Sequence, residues 1–475
     1  MIDTKVLREK ILDLAMRGKL VPQDPNDEPA SELLKRIKAE KEELIKQKKI
    51  KRDKNETEIF KGDDGLHYEK FADGTVNPLL TTLDFPDNWL PIKLSQILRV
   101  SSGKSLKRTQ LTEDGNVPVY GAHGIMGSYS EGFIEKGTLL IGRVGFYAGS
   151  IMRTKEFSWV TDNSLIVSSS SVVNSNFLEL SLKHLNLGSL TSQTAQPVIS
   201  GQKIYSQIIF LPPVNEQTKI VDSYNELISK VNTIEKEQEQ LKQLATQLKQ
   251  KVLDVAMQGK LVPQDPNDEP ASVLLEKIRA EKQRLYEEGK IKKKDLVETE
   301  LVKDGDNAYY QNLPKGWGKT LFGNIVYLLS GRDLSVAKYS DSVQKGIPYI
   351  TGASNFCDGI ITTSRFTEFP TVISEKKDIL ITVKGTVGEL AVNPYYKAHI
   401  ARQIMAIRPY LVNNEFLKIY LETKIDNMKL QSQSMIPGIS REVLLKLLIA
   451  LPPKTEQLRI TNLIKKLFQE FEEIT

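Results

Sequence analysis

The sequence predicts an α+β protein in which two globular segments are separated by long antiparallel coiled-coil helices, with a pseudo-twofold, circular organisation. Three observations carry this. The run GKLVPQDPNDEPAS occurs at Gly18–Ser31 and again at Gly259–Ser272. No glycine or proline occurs between Pro213 and Gly259, and apolar residues recur there at heptad spacing. The segments on either side hold short Val/Ile/Leu/Tyr runs broken by Gly, Asn and Asp, which is strand-and-turn material.

The repeat extends beyond its identical core. ILDLAM precedes the first copy and VLDVAM the second; LLKRIKAEK follows the first and LLEKIRAEK the second. Pro86-Asp87-Asn88-Trp89 matches Pro314-Lys315-Gly316-Trp317, Leu211-Pro212-Pro213-Val214-Asn215-Glu216-Gln217 matches Leu451-Pro452-Pro453-Lys454-Thr455-Glu456-Gln457, and Pro197-Val198-Ile199-Ser200 matches Pro437-Gly438-Ile439-Ser440. The offsets of 241 for the identical run, 228 for the tryptophans and 240 for the Pro-Pro exits put a longer linker in the first half and twelve extra residues in the second globular segment. The expected segments are an N-terminal helical half unit at 1–60, globular segments at 84–214 and 312–453, a central helical region at 215–300 and a C-terminal helix at 454–475.

The central helix is expected from Asn215 to Gly259. Its seam runs through Ile220, Tyr224, Leu227, Val231, Ile234, Gln238, Leu241, Ala245, Leu248, Val252 and Val255, alternating spacings of four and three. Shifting the seam by the repeat offsets gives Leu7, Ile11 and Leu14 near the N-terminus and Ile460, Ile464, Leu467 and Phe471 near the C-terminus. Both terminal helices are therefore expected to pack antiparallel on the central one, in competition with a coiled coil between chains. A second helix follows each copy, Ser31–Lys49 and Ser272–Glu288, with Pro29/Ser31 and Pro270/Ser272 marking the starts.

Bulk composition narrows the function. The single cysteine, Cys357, permits no intrachain disulfide, and with the lack of a signal peptide it predicts a cytoplasmic protein with no membrane partner. A net charge of +5 permits a nucleic-acid partner without requiring one. The look-alikes of catalytic motifs fail on their own terms. Gly103-Lys104-Ser105 lacks the earlier glycine of a phosphate loop, since Leu98 stands there, and pairs better with Ser330-Gly331-Arg332 as a shared Ser-Gly-basic turn. Asn393-Pro394-Tyr395-Tyr396 lacks the second proline of the adenine-methyltransferase motif. Glu375 and Lys377 with Asp358 are a weak match to a nuclease triad. The four histidines and one cysteine show no metal-ligand spacing.

Binding chemistry remains. In the first globular segment Lys104, Lys107, Arg108, Arg143 and Lys155 are candidates for phosphate or guanine contacts, and Gln193 and Gln202 for adenine. In the second, the basic candidates are Arg332, Lys338, Arg365, Lys384, Arg402 and Arg441, with Gln403 and Gln433 as base readers. A solvated surface side chain is the competing reading for each, and a core or rim position for Tyr129, Tyr147 and Trp159.

The Pro-x-x-Trp starts, the Ser-Gly-basic turns, the Arg143-Val144-Gly145 and Lys384-Gly385-Thr386-Val387-Gly388 segments and the Pro-Pro-x-x-Glu-Gln exits into long helices resemble the specificity subunit of type I restriction–modification enzymes. The resemblance covers nearly the whole chain, twice over and in order. It implies that each globular segment is a target-recognition domain reading one half of a bipartite, asymmetric DNA site. It further implies that the helices set the spacer and dock two modification subunits, adenine methyltransferases that use S-adenosylmethionine. Restriction subunits, which need ATP and Mg2+ to translocate and cleave DNA, would join them. This chain would hold no cofactor and catalyse nothing. The Lys384 turn fits the family's basic-Gly pattern better than the Arg143 turn does. Two other readings stay open: a fused methyltransferase or nuclease with its own specificity domains, and a coiled-coil organiser of partners other than DNA.

Overall fold

The computed structural model describes residues 1–50, 52, 57–79, 85–112, 115–191, 197–299, 313–341, 345–357, 359–431 and 438–474. The chain divides into two compact units, Met1–Glu237 and Gln238–Thr475.

The first unit opens with helix α1 (Thr4–Met16), whose N-terminal amides are capped by the Asp3 carboxylate, and α2 (Ala30–Lys46). A small antiparallel sheet follows, β1 (Glu58–Lys61), β2 (His67–Lys70) and β3 (Val76–Pro78). The globular part then runs through β4 (Leu90–Lys93), α3 (Leu94–Ile97), β5 (Leu98–Ser102), β6 (Val117–Gly121), β7 (Gly124–Tyr129), β8 (Leu139–Gly142), β9 (Ile151–Arg153), β10 (Trp159–Val160), β11 (Ser164–Ser169), α4 (Ser175–His184), α5 (Gly201–Tyr205) and β12 (Ile208–Leu211). The central helix α6 (Val214–Met257) follows and crosses into the second unit.

The second unit continues with α7 (Ala271–Glu287), α8 (Lys293–Leu296), β13 (Gly318–Leu321), α9 (Phe322–Ile325), β14 (Val326–Ser330), β15 (Ile347–Ile350), β16 (Phe356–Cys357), β17 (Ile360–Ile361), β18 (Phe366–Thr367) and β19 (Ile373–Glu375). It closes with β20 (Ile379–Thr382), β21 (Leu390–Val392), β22 (Lys397–Ile400), β23 (Ile404–Pro409), α10 (Asn414–Gln431), α11 (Arg441–Leu445), β24 (Leu448–Leu451) and α12 (Lys454–Ile474).

Each globular part is built on the same sheets. The antiparallel order β5-β11-β8-β9 recurs as β14-β23-β20-β21, the pair β12-β4 recurs as β24-β13, and the parallel pair β10-β6 recurs as β22-β15. The middle strands β8 and β20 are buried along their whole length, so they read as unbroken apolar runs rather than as alternating ones. The insertion is localised. Pro118 pairs with Ser128 ten positions later, whereas Pro348 pairs with Phe366 eighteen positions later, so eight of the twelve extra residues lie between β15 and β18, where the hairpin β16–β17 stands.

The duplicated sequence folds into one polar node per unit. Trp89 Nε1 donates to Glu216 at 3.0 Å, and Trp317 Nε1 donates to Glu456 at 3.0 Å. Gln23 donates to Glu216 at 2.6 Å and to the Gly18 carbonyl at 3.2 Å; Gln264 donates to Glu456 at 2.8 Å and to the Gly259 carbonyl at 3.1 Å. The next residue of each exit, Gln217 or Gln457, accepts from the Asn174 or Asn413 amide and donates to the Pro212 or Pro452 carbonyl, all at 2.9 Å. Both glutamates are buried. Burial pushes their carboxyl groups above the usual carboxylate range, against the pull of the Gln and Trp donors. Gly18 and Gly259 end their helices at φ +66° and +67°, the left-handed conformation that releases the chain into the repeated run.

Several expected boundaries shift for physical reasons. The helices after the repeat start at Ala30 and Ala271, with Pro29 and Pro270 in the cap position and no side-chain cap from Ser31 or Ser272. Their first amides instead donate across the fold, from Ala30 to the Asn88 carbonyl and from Ala271 to the Gly316 carbonyl. They end at Lys46 and Glu287, short of Lys49 and Glu288. The central helix stops at Met257 because Gly259 is already left-handed, giving 44 residues, or about 66 Å at the α-helical rise.

The terminal helices do pack antiparallel on α6 inside their own units. Thr4 and Arg8 reach Glu235, and Arg8 also reaches Asn232, while Leu12 and Met16 join a cluster with Ile220, Val221 and Tyr224. Lys249 pairs with Glu472, and Ile460, Ile464, Leu467 and Phe471 share a core with Val252, Leu253 and Met257. The strict heptad seam holds only in part. Of the seam, Val231 is buried and Leu227 and Ile234 are half-buried, but Leu241 and Leu248 are exposed, as is Leu244 outside it. On α1 the buried residues are Ile11, Ala15 and Met16, with Leu7 and Leu14 only half-buried. Here α1 packs on α4 as well as on α6, and two neighbours demand a wider apolar stripe than a seam of a and d positions supplies.

Candidate nucleic-acid interface

In the first unit the strand ends Ser102, Gly121, Gly142 and Ser164 meet at one pole. Gly103 donates to the Ser164 carbonyl at 3.2 Å, Thr161 to the Tyr120 carbonyl at 2.9 Å and Arg143 to the Asn163 carbonyl at 2.8 Å, and Ile199 donates to Arg143 at 2.9 Å. Gly103 is required by this crowding, since a Cβ there would lie 2.2 Å from the Thr161 carbonyl oxygen. The second unit repeats the arrangement: Gly331 donates to Ile404, Val383 to Gln403 and Ile439 to Val383 at 3.0, 2.8 and 3.0 Å. A Cβ on Gly331 would lie 2.1 Å from the Ala401 carbonyl oxygen. The Ser-Gly-basic turns are thus the same structural device.

The pole of the first unit gathers Lys104, Arg143 and Gln202, while Lys107 and Arg108 lie on the segment that leaves it toward the Thr112–Ser128 bridge. Lys104 Nζ sits 4.3 Å from the centroid of the Phe133 ring, while its carbonyl accepts from Trp159 Nε1 at 3.1 Å. Lys107 and Arg108 are exposed at the short 3-10 turn Arg108–Gln110. The Arg143 guanidinium rests against the Ser102 hydroxyl and the Asp162 carbonyl at 3.3 and 3.4 Å. Gln202 is exposed at the start of α5, beside Ile199. Lys155 is not brought to this pole. It follows β9, whose register with β8 and the Thr154–Thr138 bond place it at the opposite strand end. Gln193 lies outside the described residues.

The pole of the second unit gathers Arg332, Lys384, Arg402 and Gln403. Arg402 is ion-paired with Asp333 at 2.8 Å, and the Arg332 carbonyl lies 2.9 Å from buried His399. Burial pushes the His399 imidazole below its usual value, opposed by its carbonyl neighbours at Arg332 and Val372. Lys338 is exposed in the turn after β14. Arg365 is committed to Asp341 at 2.6 Å and to the face of Tyr339. Arg441 turns inward to the Leu328 carbonyl and serves the fold. Gln433 lies outside the described residues. Among the described residues no group of three or more His, Cys, Asp or Glu is placed to hold a metal ion, and no helix is long and apolar enough to cross a membrane.

The turns at 143 and 384 differ from their sequence alignment. Gly145 and Gly385 both stand at φ +75°, and the bridge Val144–Val198 corresponds to Lys384–Gly438. Arg143 therefore occupies the position of Val383, not of Lys384, and the two domains present their cations from different points of one loop. The sequence singled out Tyr147 but not its neighbour Phe146 on this loop. Phe146 is exposed at its tip, and Tyr147 stacks on His123 with ring centroids 3.5 Å apart.

Comparison with known proteins agrees with this geometry. The family model described as "Type I restriction modification DNA specificity domain" matches residues 86–243 and 314–475. The chain is 29% identical to the type I restriction enzyme EcoAI specificity subunit of Escherichia coli, over 98% of this chain and 89% of that protein. It is 26% identical to the EcoEI specificity subunit of Escherichia coli, with the same coverage of 98% and 89%. The crystal structure of the HsdS subunit from Thermoanaerobacter tengcongensis shares the fold at TM-score 0.51 and 17% identity, over 82% of this chain and 92% of that one. Two family matches, each ending on one of the paired Pro-Pro-x-x-Glu-Gln helices, place this chain in the type I restriction–modification DNA specificity domain family.

Proposed function

We propose that the chain is the DNA-specificity subunit of a type I restriction–modification complex. Each globular domain reads one half of a bipartite, asymmetric site through its loop pole, and the helices set the unread spacer. The observation that carries this is the contrast within the repeat. The Trp–Glu and Gln–Glu bonds of the two nodes match, so they suit two copies of one partner, whereas the poles differ in cation placement and in the β16–β17 insertion, so they suit two different half-sites. The partners on the scaffold are two modification subunits carrying S-adenosylmethionine, joined by restriction subunits that use ATP and Mg2+. This chain supplies recognition and no catalytic group.

Exposed Lys107, Arg108, Lys338 and Lys384 suit phosphate neutralisation, and Arg143 and Arg332 suit guanine edges. The test is filter binding to duplex DNA at two salt concentrations, with and without the modification subunit. Binding by the full complex that weakens steeply with salt supports the reading. Binding that is absent or salt-insensitive in the full complex favours an organiser of partners other than DNA, and methyl transfer or cleavage by the purified chain alone contradicts the non-catalytic role.

A further inference from the structure

Among the described residues Phe146 is the most exposed large apolar side chain, at 91%. It is held out by construction. The loop is pinned at both ends, since Gly145 donates to the Pro197 carbonyl at 2.9 Å and Gly149 to the Gly142 carbonyl at 2.7 Å. Ala148 donates back to the Gly145 carbonyl at 3.0 Å, which closes a tight turn with Phe146 and Tyr147 at its tip. Tyr147 stacks on His123, Ala148 is buried, and Gly149 packs so closely that a Cβ there would lie 2.3 Å from the Gly188 nitrogen, so the residues that follow Phe146 are anchored against the domain.

The surroundings point to a polyanion. The segments 102–104, 121–126, 142–149, 161–163 and 197–203 of this pole carry Lys104, Arg143 and Lys203, the last held by the Leu190 carbonyl, against one carboxylate, Asp162. A protruding apolar ring among cations matches the wedges that DNA-bending proteins insert between base steps. We propose that Phe146 enters the base stack of duplex DNA when the first domain binds, unstacking one step, a role that rests on the reading of this domain as a DNA-recognition module. The equivalent loop of the second domain, residues 383–388, carries no such wedge. Thr386 stands at the position of Phe146, after the equivalent glycine, and Val387 beside it is buried. The distortion therefore belongs to one half-site only.

The experiment uses the full-length chain with the subunits that co-purify with it. Bound duplexes are selected from a randomised pool, and 2-aminopurine is then placed in turn at each position of the selected sequence. The expected result is a fluorescence rise at one step in one half of the site. Phe146→Ala abolishes the rise and weakens binding about tenfold, about 1.4 kcal/mol, Phe146→Trp retains both, and Thr386→Ala changes neither. A rise that persists in Phe146→Ala, a selected site with no rise in the wild type, or a Phe146→Ala defect confined to co-purification of the other subunits overturns the wedge while leaving the DNA-recognition reading intact. A wild-type complex that selects no sequence overturns both.

Discussion

Glu216 and Glu456 show how one residue can hold a domain to a helix. Each is buried at the start of a long helix and accepts from a tryptophan and a glutamine that belong to different parts of the repeat. Glu216→Ala would strand the Trp89 and Gln23 donors in the interior, so chemical denaturation is expected to report a loss of about 1–3 kcal/mol. The pH dependence has a definite sign. Burial raises both carboxyl groups, so between the unfolded value and the raised folded value the native state binds more protons, and the contribution of each glutamate falls as pH rises. Asp268 runs the other way: Arg459 holds it below the usual carboxylate range, and its contribution is lost as pH falls through that lowered value. Denaturation midpoints of Glu456→Gln and Asp268→Asn across pH 3 to 7, each compared with the wild type, separate the two slopes. The repeat made these positions visible in the sequence, but their bonding was not, because Trp89 and Glu216 are 127 positions apart. The DNA-facing candidates were legible only as residue types. Arg365 and Arg441 look like Lys384 in the sequence, and it takes the fold to show that Asp341 and the Leu328 carbonyl already occupy them.

At the scale of elements, the central helix divides into packed ends and an exposed middle. Ile464→Ala on α12 opens a cavity in the second core and is expected to cost about 2–5 kcal/mol. Leu244→Gln in the exposed stretch is expected to stay within about 0.5 kcal/mol. Thermal or denaturant unfolding of the two variants checks the contrast, and a large loss from Leu244→Gln would show that something covers that stretch. Inserting seven residues at 240 keeps the helical phase to within about 20° and is expected to lengthen the spacer of the recognised site without loss of folding. Sequencing of the sites methylated by the assembled complex reads this out. The helix itself was legible from its heptads and its terminal glycine. Its burial pattern was not, because periodicity marks the apolar face and not the length that a neighbour covers. The β16–β17 hairpin was legible only as a length difference, since nothing in Gly346–Ser364 marks where the extra residues leave the sheet.

At the scale of the whole molecule the chain is one scaffold written twice, carrying two recognition domains that share sheets and differ at their loop poles. The sameness was plain from GKLVPQDPNDEPAS and from the paired Pro-Pro exits. The difference had to be seen in three dimensions, because the glycines at 145 and 385 coincide while the basic residues beside them do not. The central claim is that the two domains read independently. Residues 84–214 are replaced by the corresponding domain of another family member, and the methylated sites of the assembled complex are sequenced. One half of the site is expected to change, with the other half and the spacer retained. A site that keeps both halves, or loses both while the hybrid still folds and assembles, would contradict the account.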